Sequence, residues 1–128
     1  MKFSRIMGAA VSVAIIATAS PAMAHPKLVS STPAAQSVVS NVKQITLTFS
    51  ERLMPQLSGI DLSMTGMPGM ANHKPMKVTG FKISVGPDGK TLVATLPKAL
   101  PAGTYQIDWH AVSADTHRIT GKLTFTVK

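Results

Sequence analysis

Methionine and histidine recur at close intervals in one short segment of the chain. From residue 64 to residue 76 the sequence reads Met-Thr-Gly-Met-Pro-Gly-Met-Ala-Asn-His-Lys-Pro-Met, so a sulfur or imidazole donor stands at every third position: Met64, Met67, Met70, His73 and Met76. Thioethers are soft ligands that select Cu(I), and imidazole suits either oxidation state of copper. The glycines and prolines oppose a regular helix, and the segment lacks Leu, Ile, Val and Phe. It therefore predicts a Cu(I)-binding loop, against the alternatives of methionines that fill gaps in the core and of a flexible surface loop.

A second set of candidate ligands offers nitrogen and oxygen donors. His25, if a leader ends at Ala24, presents its α-amine and its imidazole to one metal ion. Pro26 has no backbone N–H, so the next amide cannot deprotonate and bind as well. Asp115 and His117 share a face if their segment is extended. Such triplets are common in loops, but with His25 they complete the four N and O donors that Cu(II) prefers in a tetragonal plane.

Two further polar residues are weaker candidates. His110 follows Trp109 on a predicted strand, so the two side chains should face opposite ways. If Trp109 packs inward, His110 is exposed and is a reserve ligand only. Glu51 either accepts a hydrogen bond from a ligating histidine or is a solvent-facing carboxylate at the end of a strand.

Residues 1–24 have the pattern of a secretory signal peptide. Lys2 and Arg5 are basic, the stretch from Ile6 to Ala19 is apolar, and Ala22-Met23-Ala24 is a small-residue cleavage site. The apolar run is shorter than the roughly 20 residues that span a bilayer, and no later segment is apolar enough to do so. We expect cleavage after Ala24, export, and a single domain over residues 25–128 with no transmembrane span.

Composition excludes several classes of protein. The chain has no cysteine, which rules out disulfides, thiolate zinc sites and iron–sulfur clusters. Without Lys2 and Arg5, the 13 basic residues become 11, against 5 acidic ones. These positive charges are scattered singly and few aromatic residues accompany them, so nucleic-acid binding is not expected.

Short alternating segments separated by turn residues predict an all-β fold. In Lys43–Phe49 the apolar residues Ile45, Leu47 and Phe49 alternate with polar ones, as in a half-buried strand. Turn sequences such as Gly-Pro-Asp-Gly at residues 86–89 separate the segments. About seven strands suggest a two-sheet sandwich or small barrel with Greek-key connections. The predicted strands are Lys27–Ser30 at an edge, Lys43–Phe49, Ser58–Met64, Val78–Val85, Thr91–Leu96, Thr104–Val112 and Ile119–Val127.

The chain resembles the CopC/PcoC family of periplasmic copper-resistance proteins over residues 25–128. The resemblance rests on His25-Pro-Lys-Leu, Leu47-Thr-Phe-Ser-Glu51, the methionine segment, Leu100-Pro-Ala-Gly-Thr-Tyr105, Asp108-Trp109 and Ser113-Ala-Asp-Thr-His117. It implies a Greek-key β-barrel or sandwich of cupredoxin-like (immunoglobulin-like) topology. It also implies a Cu(II) site formed by His25, Asp115 and His117, and a Cu(I) site drawn from Met64, Met67, Met70, His73 and Met76. The family usually has a basic residue after the Trp, where this chain has His110.

The expected function is that of an exported copper carrier and not of an enzyme. The resemblance implies a role in copper resistance or homeostasis, in the periplasm, with copper passing to a membrane copper transporter or a periplasmic copper oxidase. We expect a monomer or a copper-bridged dimer. One alternative is an oxidative copper enzyme in which His25 forms a histidine brace, although Asp115 would fill the coordination plane and no aromatic substrate platform is evident. The other is a structural β-sandwich module that binds no copper tightly.

Overall fold

Strands account for nearly all the regular structure of the computed structural model, which describes residues 26–128 together with Ser12 and Ala14. His25 lies outside the described residues, and so does the predicted leader apart from Ser12 and Ala14. The strands are β1 (Leu28–Thr32), β2 (Val38–Val39), β3 (Gln44–Phe49), β4 (Gly59–Gly66), β5 (Met76–Val78), β6 (Lys82–Val85), β7 (Thr91–Thr95), β8 (Gly103–Val112) and β9 (Arg118–Val127), and one 3-10 turn covers Pro55–Leu57.

The strands form two sheets that pack face to face. One sheet has the order β1-β3-β7-β6 and the other the order β2-β9-β8-β4-β5. Every pairing is antiparallel except that of β2 with β9. The predicted all-β fold is confirmed, and it takes the form of a two-sheet sandwich. No helix in the part of the chain that the structure describes is long and apolar enough to cross a membrane.

Alternation of apolar and polar residues builds the core. Ile45, Leu47 and Phe49 of β3 are at most 1% exposed, and Tyr105 and Ile107 of β8 are completely buried opposite them. Burying each such side chain stabilises the fold by about 1.5–3 kcal/mol. The prediction from period-2 alternation is therefore confirmed for these strands, and β1 lies at a sheet edge as expected.

The predicted strand Val78–Val85 is wrong in one respect. The chain forms two strands there, β5 in the five-stranded sheet and β6 in the four-stranded sheet. Gly80 between them has a φ of +84°, a conformation that cannot continue a strand. The segment therefore crosses from one sheet to the other. The two-residue strand β2 was also not predicted, because a pair of valines is too short to show a period.

Strand register defines two opposite ends of the sandwich. The first, called here the Asp115 end, contains residues 26–27, 50–58, 86–90 and 113–117. The second, called the methionine end, contains residues 33–43, 66–77, 82 and 96–102. Strand β8 runs from the methionine end to the Asp115 end over 10 residues, a length of about 30 Å.

Candidate metal sites

Asp115 and His117 lie in the tight connection between β8 and β9. The Thr116 N–H donates to Ser113 O at 2.8 Å, and the Ser113 N–H donates to His117 O at 3.0 Å. Thr116 has a φ of +73°, which is not an extended conformation. The two candidate ligands are thus brought together by a turn, and the expectation that an extended segment would do so is wrong.

Within this turn the carboxylate and the imidazole are in direct contact. Asp115 Oδ2 is 2.9 Å from His117 Nδ1, and their side chains are 45% and 34% exposed. Asp115 Oδ1 accepts hydrogen bonds from the Ser113 hydroxyl and, at 3.3 Å, from the His117 N–H. These hydrogen bonds lower the pKa of Asp115 to about 2, and the bond from Ser113 has the largest effect. The carboxylate is therefore ionised at neutral pH, as a metal ligand or a partner of a ligating histidine must be.

The described chain begins beside this pair. Pro26 is fully buried. The Lys27 N–H donates to Ser50 Oγ at 2.9 Å, and the Ser50 N–H donates to Lys27 O at 2.9 Å. Two residues further on, Arg52 O accepts from the Ala114 N–H at 3.0 Å. These bonds hold the start of β1 at the Asp115 end. His25, the remaining candidate for this site, lies outside the described residues.

The tip of the methionine segment presents two thioethers side by side. Met67 and Met70 exchange backbone hydrogen bonds of 2.9 Å in both directions across Pro68 and Gly69, with Gly69 at a φ of +82°. Proline followed by a glycine at positive φ is the sequence of a type II turn. Residues paired in this way have side chains on the same face. Met67 is 39% exposed and Met70 is 53% exposed, so both residues are at the surface of the turn.

Met64 and Met76 form a second pair, at the base of the segment. They are register partners in β4 and β5, so their side chains share a face. Met76 is 50% exposed, but Met64 is only 8% exposed and belongs to the core. A Cβ added at Gly103 would lie 3.1 Å from Met64 Cε. Met64 is therefore packed tightly, unlike the three other methionines of the segment.

His73 has a ring nitrogen without a hydrogen-bond partner. Its backbone N–H donates to Thr65 O at 3.2 Å, and its Nδ1 lies 2.7 Å from Lys74 O. Because a carbonyl oxygen only accepts, Nδ1 carries the proton and Nε2 of the neutral ring carries a lone pair. Nε2 is buried and unpartnered, a condition that costs about 1–3 kcal/mol unless a ligand relieves it. Within residues 26–128 this nitrogen therefore has a lone pair that no hydrogen bond uses.

The two weaker candidates from the sequence are His110 and Glu51. Trp109 is 8% exposed and packs edge-on against Phe49, with ring centroids 5.1 Å apart. His110 faces the opposite side of the sheet, as predicted, but is half-buried against Gly59, where an added Cβ would meet its Cε1 at 2.9 Å. Glu51 is half-buried just after β3, at the Asp115 end.

No group of three or more His, Asp or Glu side chains is placed to hold a metal within residues 26–128. The Asp115–His117 pair therefore needs donors from elsewhere to form a complete site. Ser113 was missed in the sequence, because only the turn brings its hydroxyl to the Asp115 carboxylate. The partner of His73 Nδ1 was missed as well, since a backbone carbonyl leaves no signal in side-chain types.

Fold and donor sets together define a small β-sandwich with a sulfur-rich loop at one end and a carboxylate–imidazole pair at the other. The model of the CopC domain family matches residues 28–128. The chain is 52% identical over 114 residues to Copper resistance protein C of Escherichia coli, covering 89% of this chain and 90% of that protein. It is 56% identical over 107 residues to Copper resistance protein C of Pseudomonas syringae pv. tomato, covering 84% and 83%. The chain belongs to the CopC family.

Solved structures agree with this assignment. The crystal structure of PcoC, a methionine-rich copper resistance protein from Escherichia coli, superposes with a TM-score of 0.74 at 51% identity, covering 82% of this chain and 100% of that one. The structure of CopC from Methylosinus trichosporium OB3b superposes with a TM-score of 0.65 at 27% identity, covering 81% and 94%. The predicted family resemblance is confirmed.

Proposed function

We propose that this chain is a periplasmic copper carrier that serves copper resistance or homeostasis after removal of residues 1–24. It binds Cu(II) at the Asp115 end and Cu(I) at the methionine end. The observation that carries the proposal is the separation of donor types, with exposed thioethers at one end and an ionised carboxylate paired with an imidazole at the other. Copper has two accessible oxidation states whose ligand preferences match these sets. The copper-resistance names of the relatives support the same conclusion.

The proposed Cu(II) site combines Asp115 and His117 with the amine and imidazole of His25. Its support is that the pair alone is too small a donor set and that Pro26 is anchored at the same end. The peptide bond to buried Pro26 limits the His25 Cα to within about 4 Å of the Pro26 Cα. A free amine at residue 25 then supplies the missing nitrogen donors. This arrangement requires cleavage after Ala24, because an uncleaved chain has an amide there.

The proposed Cu(I) site takes its thioethers from Met67, Met70 and Met76 and its imidazole from His73. Three exposed methionine residues and the unpartnered Nε2 support it. Three or four such ligands satisfy Cu(I), which prefers soft donors and a low coordination number. Met64, also a candidate from the sequence, has a packing role in this proposal because its side chain belongs to the core.

The length of the sandwich determines how copper moves. About 30 Å of β-sheet separates the two ends, too far for an ion to pass directly between the sites. Oxidation of bound Cu(I) or reduction of bound Cu(II) leaves the ion on poorly matched ligands and favours its release. Copper therefore passes to another molecule: a second copy of the chain, a membrane copper transporter or a periplasmic copper oxidase.

Electron paramagnetic resonance during Cu(II) titration tests the N-terminal site. We compare protein that begins at His25 with the same chain bearing one extra N-terminal methionine. A one-to-one tetragonal spectrum rich in nitrogen that the extension abolishes or remodels supports the proposal. Identical spectra, or weak adventitious binding in both, would refute the role of His25. Release of oxidised sugars from a polysaccharide by the copper-loaded protein with a reductant would instead favour the enzyme alternative.

A further inference from the structure

Positive charge is concentrated at the methionine end. Lys43 precedes β3, and its carbonyl accepts from the Leu96 N–H at 2.9 Å. Lys77 pairs with Ser63 near the end of β4, and Lys82 pairs with Thr95 at the end of β7. Lys74 belongs to the methionine segment and Lys98 to the loop after β7. These five exposed side chains, called here the lysine ring, are Lys43, Lys74, Lys77, Lys82 and Lys98.

Negative charge lies elsewhere. All five acidic residues of the sequence are described, and none is at the methionine end. Glu51, Asp88 and Asp115 occupy loops of the Asp115 end, while Asp61 and Asp108 face each other on β4 and β8. Lysine forms no ion pair with a carboxylate anywhere in residues 26–128. The domain therefore has a strongly positive end and a mixed end.

Exposed apolar side chains lie among these lysines. Four of the exposed large hydrophobic residues are at the methionine end: Val38 (56%), Met67 (39%), Met70 (53%) and Met76 (50%). Among residues 26–128 this end has no arginine, since Arg52 lies in the Asp115 end and Arg118 directly follows it, and no aromatic side chain is exposed. The surface thus combines lysines from both sheets with the thioethers of the β4–β5 connection and of β5.

We propose that the lysine ring docks the methionine end on the surface of a membrane that contains anionic phospholipid. Lysines next to a bilayer are attracted by its negative surface potential, and exposed apolar side chains near them can enter the headgroup layer. A protein partner is less favoured, because protein interfaces are depleted in lysine, and of the residue types enriched there this end exposes methionine but no arginine and no aromatic side chain. In the docked orientation the Asp115 end points away from the bilayer, about 30 Å from it.

Docking of this kind deepens the proposed function but does not depend on copper. It brings the thioethers to the membrane, where a copper-accepting membrane protein would meet them. Binding is measured with the apo-protein, so failure of copper binding and failure of docking are separate results.

Vesicle sedimentation tests the docking. The protein as exported, purified from the periplasm and metal-free, is mixed with phosphatidylcholine vesicles that contain about 30% phosphatidylglycerol or none. We expect binding to the anionic vesicles at low salt, no binding to neutral ones, and loss of binding at about 0.5 M salt, where screening is strong. Absence of binding to anionic vesicles at low salt would overturn the proposal, and so would binding to soluble polyglutamate without binding to vesicles.

Two triple variants distinguish the effect of the lysine ring on vesicle binding from the effect of overall net charge. Lys74→Gln with Lys77→Gln and Lys98→Gln removes three charges from the methionine end. The matched control, Lys27→Gln with Lys90→Gln and Arg118→Gln, removes three from outside it, and all six side chains are exposed. At about five-fold per lysine, the first triple should weaken vesicle partitioning about 100-fold. The control should weaken it only a few-fold, and an equal loss in both would refute the role of the lysine ring.

Discussion

The substitution Met70→Leu should weaken Cu(I) binding without changing the stability of the fold. Met70 is 53% exposed at the tip of the methionine turn, so Met70→Leu removes a sulfur atom and keeps the size of the side chain. Surface changes of this kind alter the free energy of unfolding by no more than about 0.5 kcal/mol. The Cu(I) dissociation constant should nevertheless rise at least about tenfold, because even groups that only support a ligand cost about 10–100-fold when removed.

Met64→Leu is the matched control, since the same chemical change falls in the core. Met64 is 8% exposed, and exchange of methionine for leucine at a packed site costs less than about 1.5 kcal/mol. Truncation to alanine would cost about 2–5 kcal/mol, which makes leucine the better probe. We expect Met64→Leu to lower stability slightly and to leave the Cu(I) dissociation constant near that of the wild type.

Both quantities are measurable on the same samples. Cu(I) affinity is obtained by anaerobic competition with a colorimetric chelator, and stability by urea unfolding followed through the fluorescence of Trp109, the only tryptophan. Unchanged Cu(I) affinity in Met70→Leu would refute a site at the turn. Equal weakening by both substitutions would show that Met64 is a ligand and that the packing role assigned to it is wrong.

Two further predictions follow from individual contacts. Ser113→Ala removes the hydroxyl that does most to lower the pKa of Asp115, so this pKa should rise from about 2 toward 3.8. In the wild type the folded-state pKa of Asp115 lies below its unfolded value, so the stabilisation that this carboxylate contributes is present above pH 4 and is lost as the pH falls through about 2. An NMR titration in which Asp115 has the same pKa in Ser113→Ala as in the wild type would contradict this account. Gly121→Ala places a Cβ 2.7 Å from Trp109 Cε2. The resulting overpacking should destabilise the domain by about 1–3 kcal/mol, and an unaltered urea midpoint would argue against it.

Much of the sandwich follows from local alternation. Ile45, Leu47 and Phe49, like Tyr105 and Ile107, lie on the inner face that a period of two assigns to them. The error at Val78–Val85 arose because both halves of that segment alternate, while the positive φ of Gly80 cannot be deduced from alternation. The conformation of this one residue therefore decides that β5 and β6 join different sheets.

The methionine segment shows a different limit of sequence reasoning. A donor at every third position gives five candidates for a smaller number of ligand positions and does not rank them, whereas in the structure β4 continues to Gly66 and takes Met64 into the core. The spacing predicted a loop of donors, and the structure forms the turn between Met67 and Met70 that brings two of them together. Likewise, the contact between Asp115 and His117 depends on the conformation of Thr116, which residue types alone do not specify.

X-ray absorption spectroscopy of one sample in two oxidation states tests the central claim most directly. Protein beginning at His25 is loaded with one equivalent of Cu(II), measured, then reduced with ascorbate under nitrogen and measured again. We expect only nitrogen and oxygen neighbours in the first spectrum and predominantly sulfur neighbours in the second, as copper passes from the Asp115 end of one molecule to the methionine end of another. The same ligands in both spectra would contradict the assignment of separate Cu(II) and Cu(I) sites.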